Sequence, residues 1–196
     1  EISAVAGTQH AYGVSSATTG LHLALVGLGV KPGDEVIIPG FSFPATANAV
    51  IQQGAIPVFV DIQQDTFNLD PTLLEAAVTE RTRAIMPVHA FGLCADMNPI
   101  NAIAGKLNLP VIEDAACALG GVYHGRGAGS LADAGVFSFH PRKIITTAEG
   151  GMITTDSNEL GERIAVLRAH GAVRGELFME FIEAGYNYRL SDVHAA

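Results

Sequence analysis

Short, nearly continuous apolar runs recur along the chain, and the stretches between them carry apolar residues at the period of a helix. Runs of this length between turn-forming residues predict β-strands. Because most of them have few polar residues on either face, they are typical of strands that are covered on both sides in a parallel sheet. The predicted strands comprise residues 11–16, 35–40, 57–62, 84–91, 110–116, 134–140 and 150–156.

Five helical stretches lie between or after these strands. The third opens with Asp70 as a predicted N-cap and Pro71 at the first helical position, a combination that favours a helix start. The regular alternation of strand and helix predicts a three-layer α/β/α fold, with helices on both faces of one sheet. The predicted helices comprise residues 18–29, 44–54, 70–80, 96–108 and 157–171.

The connection between the last two predicted strands is short and spans only residues 141–149. A parallel crossover needs a dozen or more residues, so this is where an antiparallel strand is expected. The sequence therefore predicts a seven-stranded, mostly parallel sheet with one antiparallel strand. The glycine-rich segment 120–135 reads as an ordered loop and not as a linker.

Composition and charge limit the possible functions. The 196 residues are 48% hydrophobic, which suffices for one domain but not comfortably for two. With 11 basic and 20 acidic residues the formal net charge is −9, so nucleic acids and anionic membranes would be repelled and are not expected as partners. The two cysteines, Cys94 and Cys117, match no metal-binding spacing and no disulfide framework. We expect no metal site and a reducing compartment.

The chain carries no targeting signal that the sequence reveals. It has neither a long uninterrupted apolar run nor a basic segment followed by an apolar one at its start, which predicts a cytoplasmic protein. It begins in what reads as the last turns of a helix and stops just after a Ser-Asp helix start at residues 191–192. We therefore expect it to be a portion of a longer protein.

Polar and aromatic side chains cluster where the predicted strands end. In open α/β sheets, ligands bind beyond the carboxyl ends of the strands, so these side chains are expected to converge on one rim. They comprise residues 15–19, 41–43, Asp61, His89, 114–117 and 138–143.

Four hydroxyl residues lie where the first predicted strand turns into a helix: Ser15, Ser16, Thr18 and Thr19. Together with free backbone N–H groups they form either a hole for a phosphate-sized anion or an ordinary N-cap, and the residues alone favour neither. No Walker A or GxGxxG sequence occurs, because the glycine cluster at 125–130 has the wrong spacing. Nucleoside triphosphate and dinucleotide cofactors are therefore poorly supported.

Asp114 and Lys143 share this rim. A carboxylate at the end of a buried strand either meets a cation or caps a helix. A lysine in a partly desolvated pocket is a nucleophile, although a lone lysine in a loop is ordinarily solvated. Together with a phosphate cradle, these are the protein groups that pyridoxal 5'-phosphate requires. Phe43 can stack on the pyridine ring or belong to the core.

Blocks of sequence over almost the whole chain resemble those of the DegT/DnrJ/StrS-type sugar aminotransferases, pyridoxal-phosphate enzymes of the aspartate aminotransferase fold (type I). Several such blocks in one order are far more specific than any single one. The resemblance implies that residues 1–196 form the cofactor-binding large domain, without the family's N-terminal start and C-terminal small domain. The blocks read GVSSATTGLHLAL, GDEVIIPGFSFPATANAV, GAIPVFVDI, PVHAFG, VIEDAACALGG, FSFHPRKIITTAEGGMITTD and GYNYRLSDVHAA.

The resemblance also implies roles for single residues. Lys143 corresponds to the lysine that binds the cofactor as a Schiff base, and Asp114 to the partner of the pyridine nitrogen. Cys117 stands where the family usually has Gln or His against the ring hydroxyl, so that polar contact is expected to be weakened or replaced. The other implied cofactor-binding residues are Thr18, Thr19 and Ser138 at the phosphate, Phe43 at the ring, and Asn187, which reaches the phosphate of the neighbouring subunit in an obligate homodimer.

The implied activity is transamination of a keto group, at the 4-position, of a UDP- or dTDP-linked sugar, with L-glutamate as the amino donor. Such amino sugars serve cell-surface polysaccharides. Two alternatives stay open: a pyridoxal-phosphate dehydratase or lyase on the same scaffold, and a non-catalytic sensor or interaction protein of the same fold. Lys143 counts against the dehydratases, in which a histidine replaces it, and Lys143 with Asp114 counts against the non-catalytic protein.

Overall fold

The computed structural model describes all residues, 1–196, as eleven strands and seven α-helices. The strands are β1 (His10–Val14), β2 (Glu35–Pro39), β3 (Ile56–Val60), β4 (Thr82–Ile85), β5 (Ile112–Asp114), β6 (Val122–Tyr123), β7 (Arg126–Gly127), β8 (Ala134–Ser138), β9 (Gly151–Thr155), β10 (Ala172–Arg174) and β11 (Met179–Phe181). The helices are α1 (Ile2–Ala6), α2 (Ala17–Gly27), α3 (Ala45–Gln52), α4 (Leu74–Ala77), α5 (Met97–Leu107), α6 (Asn158–Leu167) and α7 (Asp192–Ala195).

Seven strands form one continuous sheet. β2 pairs in parallel with β3 and β4, and β5 pairs in parallel with β8. Parallel bridges from Ile85 to Val111 and from Val88 to Asp114 join these two groups, which gives the order β3-β2-β4-β5-β8-β9-β1. β9 is antiparallel to both of its neighbours, β1 and β8. The predicted mostly parallel sheet with one antiparallel strand is confirmed, and the short 141–149 connection explains the reversal.

Helices cover both faces of the sheet, so the predicted three layers are confirmed. Val36 and Ile38 of β2 belong to the core under α2, α3 and α6, whereas Ile37 between them belongs to the core under α4 and α5. Successive strand residues point to opposite faces, which explains why the strands are apolar throughout. The longest helices, α2 and α5, have 11 residues each. None of the helices combines the length and apolar content needed to cross a membrane.

The strand predicted at 84–91 is shorter than expected, because β4 ends at Ile85. Met86 still donates its N–H to the carbonyl of Ile37, but Pro87 has no N–H with which to continue the ladder. The chain stays extended as far as the bridge at Val88. Pro87 therefore ends the regular strand pairing before the predicted end of the strand at residue 91.

The helix predicted at 70–80 is also shorter. It consists of a 3-10 turn at Pro71–Leu73 followed by α4, and the chain is extended again at Val78. The predicted cap is confirmed, because the Asp70 carboxylate accepts a hydrogen bond from the N–H of Thr72. The two small hairpins, β6 with β7 and β10 with β11, have no counterpart among the predicted strands.

β9 passes directly against the first turn of α2 at Gly151. A Cβ atom there would lie 2.7 Å from both the backbone nitrogen of Ala17 and the backbone carbonyl carbon of Ser16. Because backbone atoms cannot move aside as a flexible side chain can, we expect Gly151→Ala to lower the free energy of unfolding by about 1–3 kcal/mol in urea denaturation. Gly105→Ala in α5 is the matched control, since a Cβ there meets nothing within 4 Å. Equal destabilisation by both variants would contradict this packing argument.

Candidate active site

A pocket of about 600 Å³ lies beyond the carboxyl ends of the parallel strands, where a ligand site is expected in an open α/β sheet. Its walls come from the segments that follow β1, β2, β4, β5 and β8. The residues that line it are Ser16, Ala17, Thr18, Leu21, Phe41, Ser42, Phe43, Pro44, Ala45, Val88, His89, Ala90, Phe91, Asp114, Ala116, Cys117, Ser138, His140, Arg142, Lys143, Glu149 and Gly150.

The start of α2 forms one wall of the pocket. Ser16 and Thr19 make a capping box, in which the Ser16 hydroxyl accepts from the Thr19 N–H at 3.2 Å and the Thr19 hydroxyl accepts from the Ser16 N–H at 3.1 Å. The N–H groups of Ala17 and Thr18 belong to the first turn, which has no intrahelical acceptor. This wall therefore offers amide donors and the partial positive charge of a helix N-terminus to an anion.

Asp114 is buried at the floor of the pocket. Its Oδ2 accepts from the Thr46 hydroxyl at 2.7 Å and its Oδ1 from the Ala116 N–H at 3.2 Å. Because Thr46 uses its only hydroxyl proton for this bond, it accepts from the Ser42 hydroxyl, 2.7 Å away. Burial raises the pKa of Asp114, and the two hydrogen bonds and nearby positive charge oppose that shift. A cationic N–H group in the pocket would oppose the rise in this pKa in the same way.

Glu113 points away from the pocket, since neighbouring residues of a strand such as β5 lie on opposite faces. Its carboxylate accepts from the N–H groups of Gly129 and Leu131, both at 2.7 Å, and lies 2.9 Å from Nε2 of His89. Nδ1 of His89 accepts from the Ala95 N–H at 3.1 Å, so Nε2 carries the proton and donates to Glu113. His89 lines the pocket, but both of its ring nitrogens are occupied and neither is free for a ligand.

Lys143 lies in the 141–149 connection and is half-buried. Its Nζ donates to Sγ of Cys117 at 3.0 Å, and its backbone N–H donates to the carbonyl of His140 at 2.9 Å. Nε2 of His140 is 4.0 Å from the carboxylate of Glu149, at the other end of the same connection. Since a thiol is a weak acceptor, an electrophile can approach the amine without displacing a strong partner.

Aromatic side chains form the outer wall. Phe43 is 71% exposed, so the alternative interpretation of it as a core residue is wrong. Phe41, Phe67 and Phe91 form a cluster beside it, with ring centroids 5.3 to 6.0 Å apart. The Phe43 ring is therefore free to stack on a planar ligand.

The sequence pattern of the DegT/DnrJ/EryC1/StrS aminotransferase family matches residues 1–196. The chain belongs to this family. It is 50% identical over 190 residues to GDP-perosamine synthase of Caulobacter vibrioides, an alignment that covers 97% of this chain and 51% of that protein. The family resemblance predicted from the sequence is confirmed.

Solved structures share the fold of this chain. DesV of S. venezuelae superposes with a TM-score of 0.94 at 42% identity, over 99% of this chain and 52% of that one. The PLP-form of the putative sugar aminotransferase Spr1654 from Streptococcus pneumoniae gives 0.92 at 35% identity, over 99% of this chain and 55% of that one. The predicted type I fold is confirmed, and the chain spans about half the length of the relatives it matches.

The pocket of this DegT-family chain brings together most of the residues predicted to bind a cofactor. Thr19 is not among its lining residues, because its hydroxyl is held in the capping box. Asn187 is exposed and lies outside the pocket of its own chain, as does Asp61 at the end of β3. The predicted residues that line the pocket are Thr18, Phe43, Asp114, Cys117, Ser138 and Lys143.

Sequence reasoning missed the hydroxyl pair Ser42 and Thr46, which orients Asp114. A partial signal was present, because Ser42 is one of the predicted rim residues 41–43 and Thr46 lies in the first turn of the helix predicted at 44–54. Their target could not be read from the sequence, since Thr46 and Asp114 are separated by 68 positions. The bond between Glu113 and His89 was missed for the same reason.

The pocket of the chain fits pyridoxal 5'-phosphate by its chemistry. Asp114 is a carboxylate whose pKa is raised by burial, a shift that a cationic N–H group beside it would offset. The first turn of α2 offers donors for a phosphate, and Phe43 offers an exposed ring for stacking. Lys143 brings a primary amine to the same cavity. These are the four protein groups that the cofactor needs.

Proposed function

We propose that this chain is the cofactor-binding large domain of a pyridoxal 5'-phosphate-dependent aminotransferase that converts a keto group of a nucleotide-linked sugar to an amine. The observation that carries the proposal is that the Lys143 amine and the buried Asp114 carboxylate line one pocket with the open N-terminus of α2. Family membership supports the reaction type, and the names of relatives, GDP-perosamine synthase and a sugar aminotransferase, support the substrate class.

Each part of the cofactor has a proposed partner in the pocket. The first-turn N–H groups and the hydroxyls of Thr18 and Ser138 would hold the phosphate, while Thr19 supports that turn through the capping box. Phe43 would stack on the ring, and Cys117 would lie beside the ring hydroxyl. When bound, the cofactor supplies an electron sink for the charge left on a carbon that loses a proton.

Asp114 would keep a proton on the ring nitrogen of the cofactor. A cationic ring N–H opposite this carboxylate offsets the cost of burial, so Asp114 stays ionised when it has that partner. The hydrogen bonds from Thr46 and Ala116 fix the direction in which its free lone pairs point. A rigid acceptor of this kind holds the proton in place without having to reorganise during the reaction.

Lys143 has two proposed tasks. Its amine would hold the cofactor covalently, and as a free amine it would act as the general base that carries a proton. The contact with Cys117 at 3.0 Å keeps the free amine inside the pocket. A lysine in an exposed connection such as this one would otherwise turn its charged end to water.

Three finer features belong to this proposal. L-glutamate is the amino donor, the keto group is at the 4-position, and the protein works as a homodimer in which Asn187 reaches the cofactor phosphate of the neighbouring subunit. UDP and dTDP are the carriers expected from the sequence, and the name of the Caulobacter relative adds GDP.

The test is product analysis with the full-length protein. We expect L-glutamate and a UDP-, dTDP- or GDP-linked 4-keto sugar to yield an amino sugar and 2-oxoglutarate in equal amounts, measured by mass spectrometry. A deoxy sugar formed without consumption of glutamate would show the dehydratase reaction instead. Cofactor binding without turnover of any keto sugar would favour a non-catalytic protein of the same fold.

A further inference from the structure

The 186–189 segment, which contains Asn187, is fixed to the rest of the chain by its backbone. The Tyr186 N–H donates to the carbonyl of Leu167 at 2.6 Å, and the Tyr188 N–H donates to the carbonyl of Arg168 at 3.0 Å. On its other edge, the carbonyl of Tyr188 accepts from the Ser15 N–H at 2.8 Å. The segment is therefore held between the end of α6 and the end of β1.

The side chains of this segment alternate between two faces, as they do in any extended chain. Tyr186 and Tyr188 stack on each other, with centroids 4.7 Å apart and planes at 13°, and both meet the ring of His22 edge-on at 5.2 and 5.9 Å. Asn187, between them, lies on the opposite face and is exposed. The aromatic contacts on one face thus determine where Asn187 points on the other.

His22 locks this arrangement through two hydrogen bonds. The amide of Gln53 donates to the carbonyl of Val30, so its Oε1 is the acceptor that faces Nε2 of His22 at 3.1 Å. Nε2 therefore carries the proton, and Nδ1 accepts from the Tyr188 hydroxyl at 3.2 Å. Burial lowers the pKa of His22, which keeps the ring neutral and in this single tautomer.

The amide of Asn187 is presented as a donor. Its Oδ1 accepts from Nε of Arg189 at 3.2 Å, and its NH₂ group has no partner in the chain. An outward N–H donor next to a guanidinium group is suited to an anion and not to a cation.

We propose that His22, Tyr186 and Tyr188 are positioning residues that aim the Asn187 amide at the cofactor phosphate of the neighbouring subunit. The inference rests on the proposed function, which assigns that phosphate to Asn187. The bond from the Ser15 N–H to the carbonyl of Tyr188 is a backbone contact, so the Tyr188 hydroxyl acts on the Asn187 side only.

The test compares the cofactor with pyridoxal, which lacks the phosphate, by absorbance titration of the full-length protein. Tyr188→Phe keeps the ring stack and removes only the bond to His22. We expect it to weaken pyridoxal 5'-phosphate binding about 3- to 10-fold, the effect of one hydrogen bond, and to leave pyridoxal binding unchanged. Tyr123→Phe is the matched control, because its hydroxyl bonds to Asp96 in a distant part of the chain. It is expected to change neither constant.

A double-mutant cycle separates positioning from general stability. In the Asn187→Ala background, Tyr188→Phe is expected to cause no further loss beyond about 1.5-fold, because the group that it positions is already gone. Equal weakening of both ligands, or losses that multiply in the double variant, would overturn the inference. A wild-type protein that shows no absorbance change with pyridoxal 5'-phosphate would instead overturn the proposed function.

Discussion

Replacing Lys143 with alanine is expected to abolish the change in visible absorbance that accompanies cofactor attachment and to lower transaminase turnover by roughly 10³-fold or more. The loss is this large because one amine serves both as the attachment point and as the proton carrier. No other lysine lines the pocket, so no second amine can replace it. Absorbance titration and the initial rate of 2-oxoglutarate formation measure the two effects.

Two further variants control for charge and for general damage. Lys143→Arg keeps the positive charge but has no nucleophilic amine, so it is expected to lose as much activity as Lys143→Ala. Lys106→Ala removes a lysine that is 70% exposed and paired with Glu75 on the surface, and it is expected to retain wild-type turnover. Activity that survives in Lys143→Arg would show that the residue acts through its charge alone.

Replacing Asp114 with asparagine is expected to have opposite effects on activity and on stability. Turnover falls by about 10²-fold or more, because a neutral amide cannot hold a proton on the ring nitrogen of the cofactor. The cofactor-free protein becomes more stable at neutral pH, because a carboxylate whose charged form is disfavoured by burial is removed. Asparagine fits the site, since its NH₂ can donate to Thr46, whose hydroxyl can then donate to Ser42.

The pH dependence of that stability follows from the raised pKa of Asp114. In the cofactor-free folded state this carboxyl binds its proton more tightly than in the unfolded chain, where its pKa has the ordinary value of 3.8. Its favourable contribution is complete below that value and is lost as the pH rises through the raised pKa. The urea midpoints of wild type and Asp114→Asn are therefore expected to separate as the pH rises to neutrality.

Asp133→Asn is the matched control for this second prediction. Asp133 is an exposed carboxylate that accepts from the Val111 N–H at 2.8 Å, a bond that asparagine can keep. We expect neither its turnover nor its stability at neutral pH to differ from wild type. A cofactor-free Asp114→Asn protein that is less stable than wild type at neutral pH would contradict the burial argument.

The strand pattern was sufficient to predict the rim of the site. Asp114 and Lys143 were placed together from sequence because both follow apolar strands of a parallel sheet, and such strands end at one edge. The same rule misplaced Asp61, which follows the edge strand β3 and lies outside the pocket. The distance of Asp61 from the pocket depends on the order of the strands in the sheet. The pattern of apolar residues within one strand does not determine that order.

Hydrogen-bond partners were the part of the site that sequence could not supply. Thr18 and Thr19 are adjacent and chemically equal, yet one lines the pocket and the other closes a capping box. The orientation of Asp114 depends on Thr46, which only the packing of α3 against β5 brings near. Hydrogen-bond partners of this kind are determined by tertiary packing, and the sequence shows no periodic pattern from which they could be predicted.

The most direct test of the central claim is the location of the covalently bound cofactor. The chain contains three lysines, Lys31, Lys106 and Lys143. Full-length protein is loaded with pyridoxal 5'-phosphate, reduced with borohydride to fix the link, digested and mapped by mass spectrometry. The account predicts a pyridoxyl group on Lys143 and none on Lys31 or Lys106. A modification at another lysine with Lys143 unmodified, or no modification at all, would contradict it.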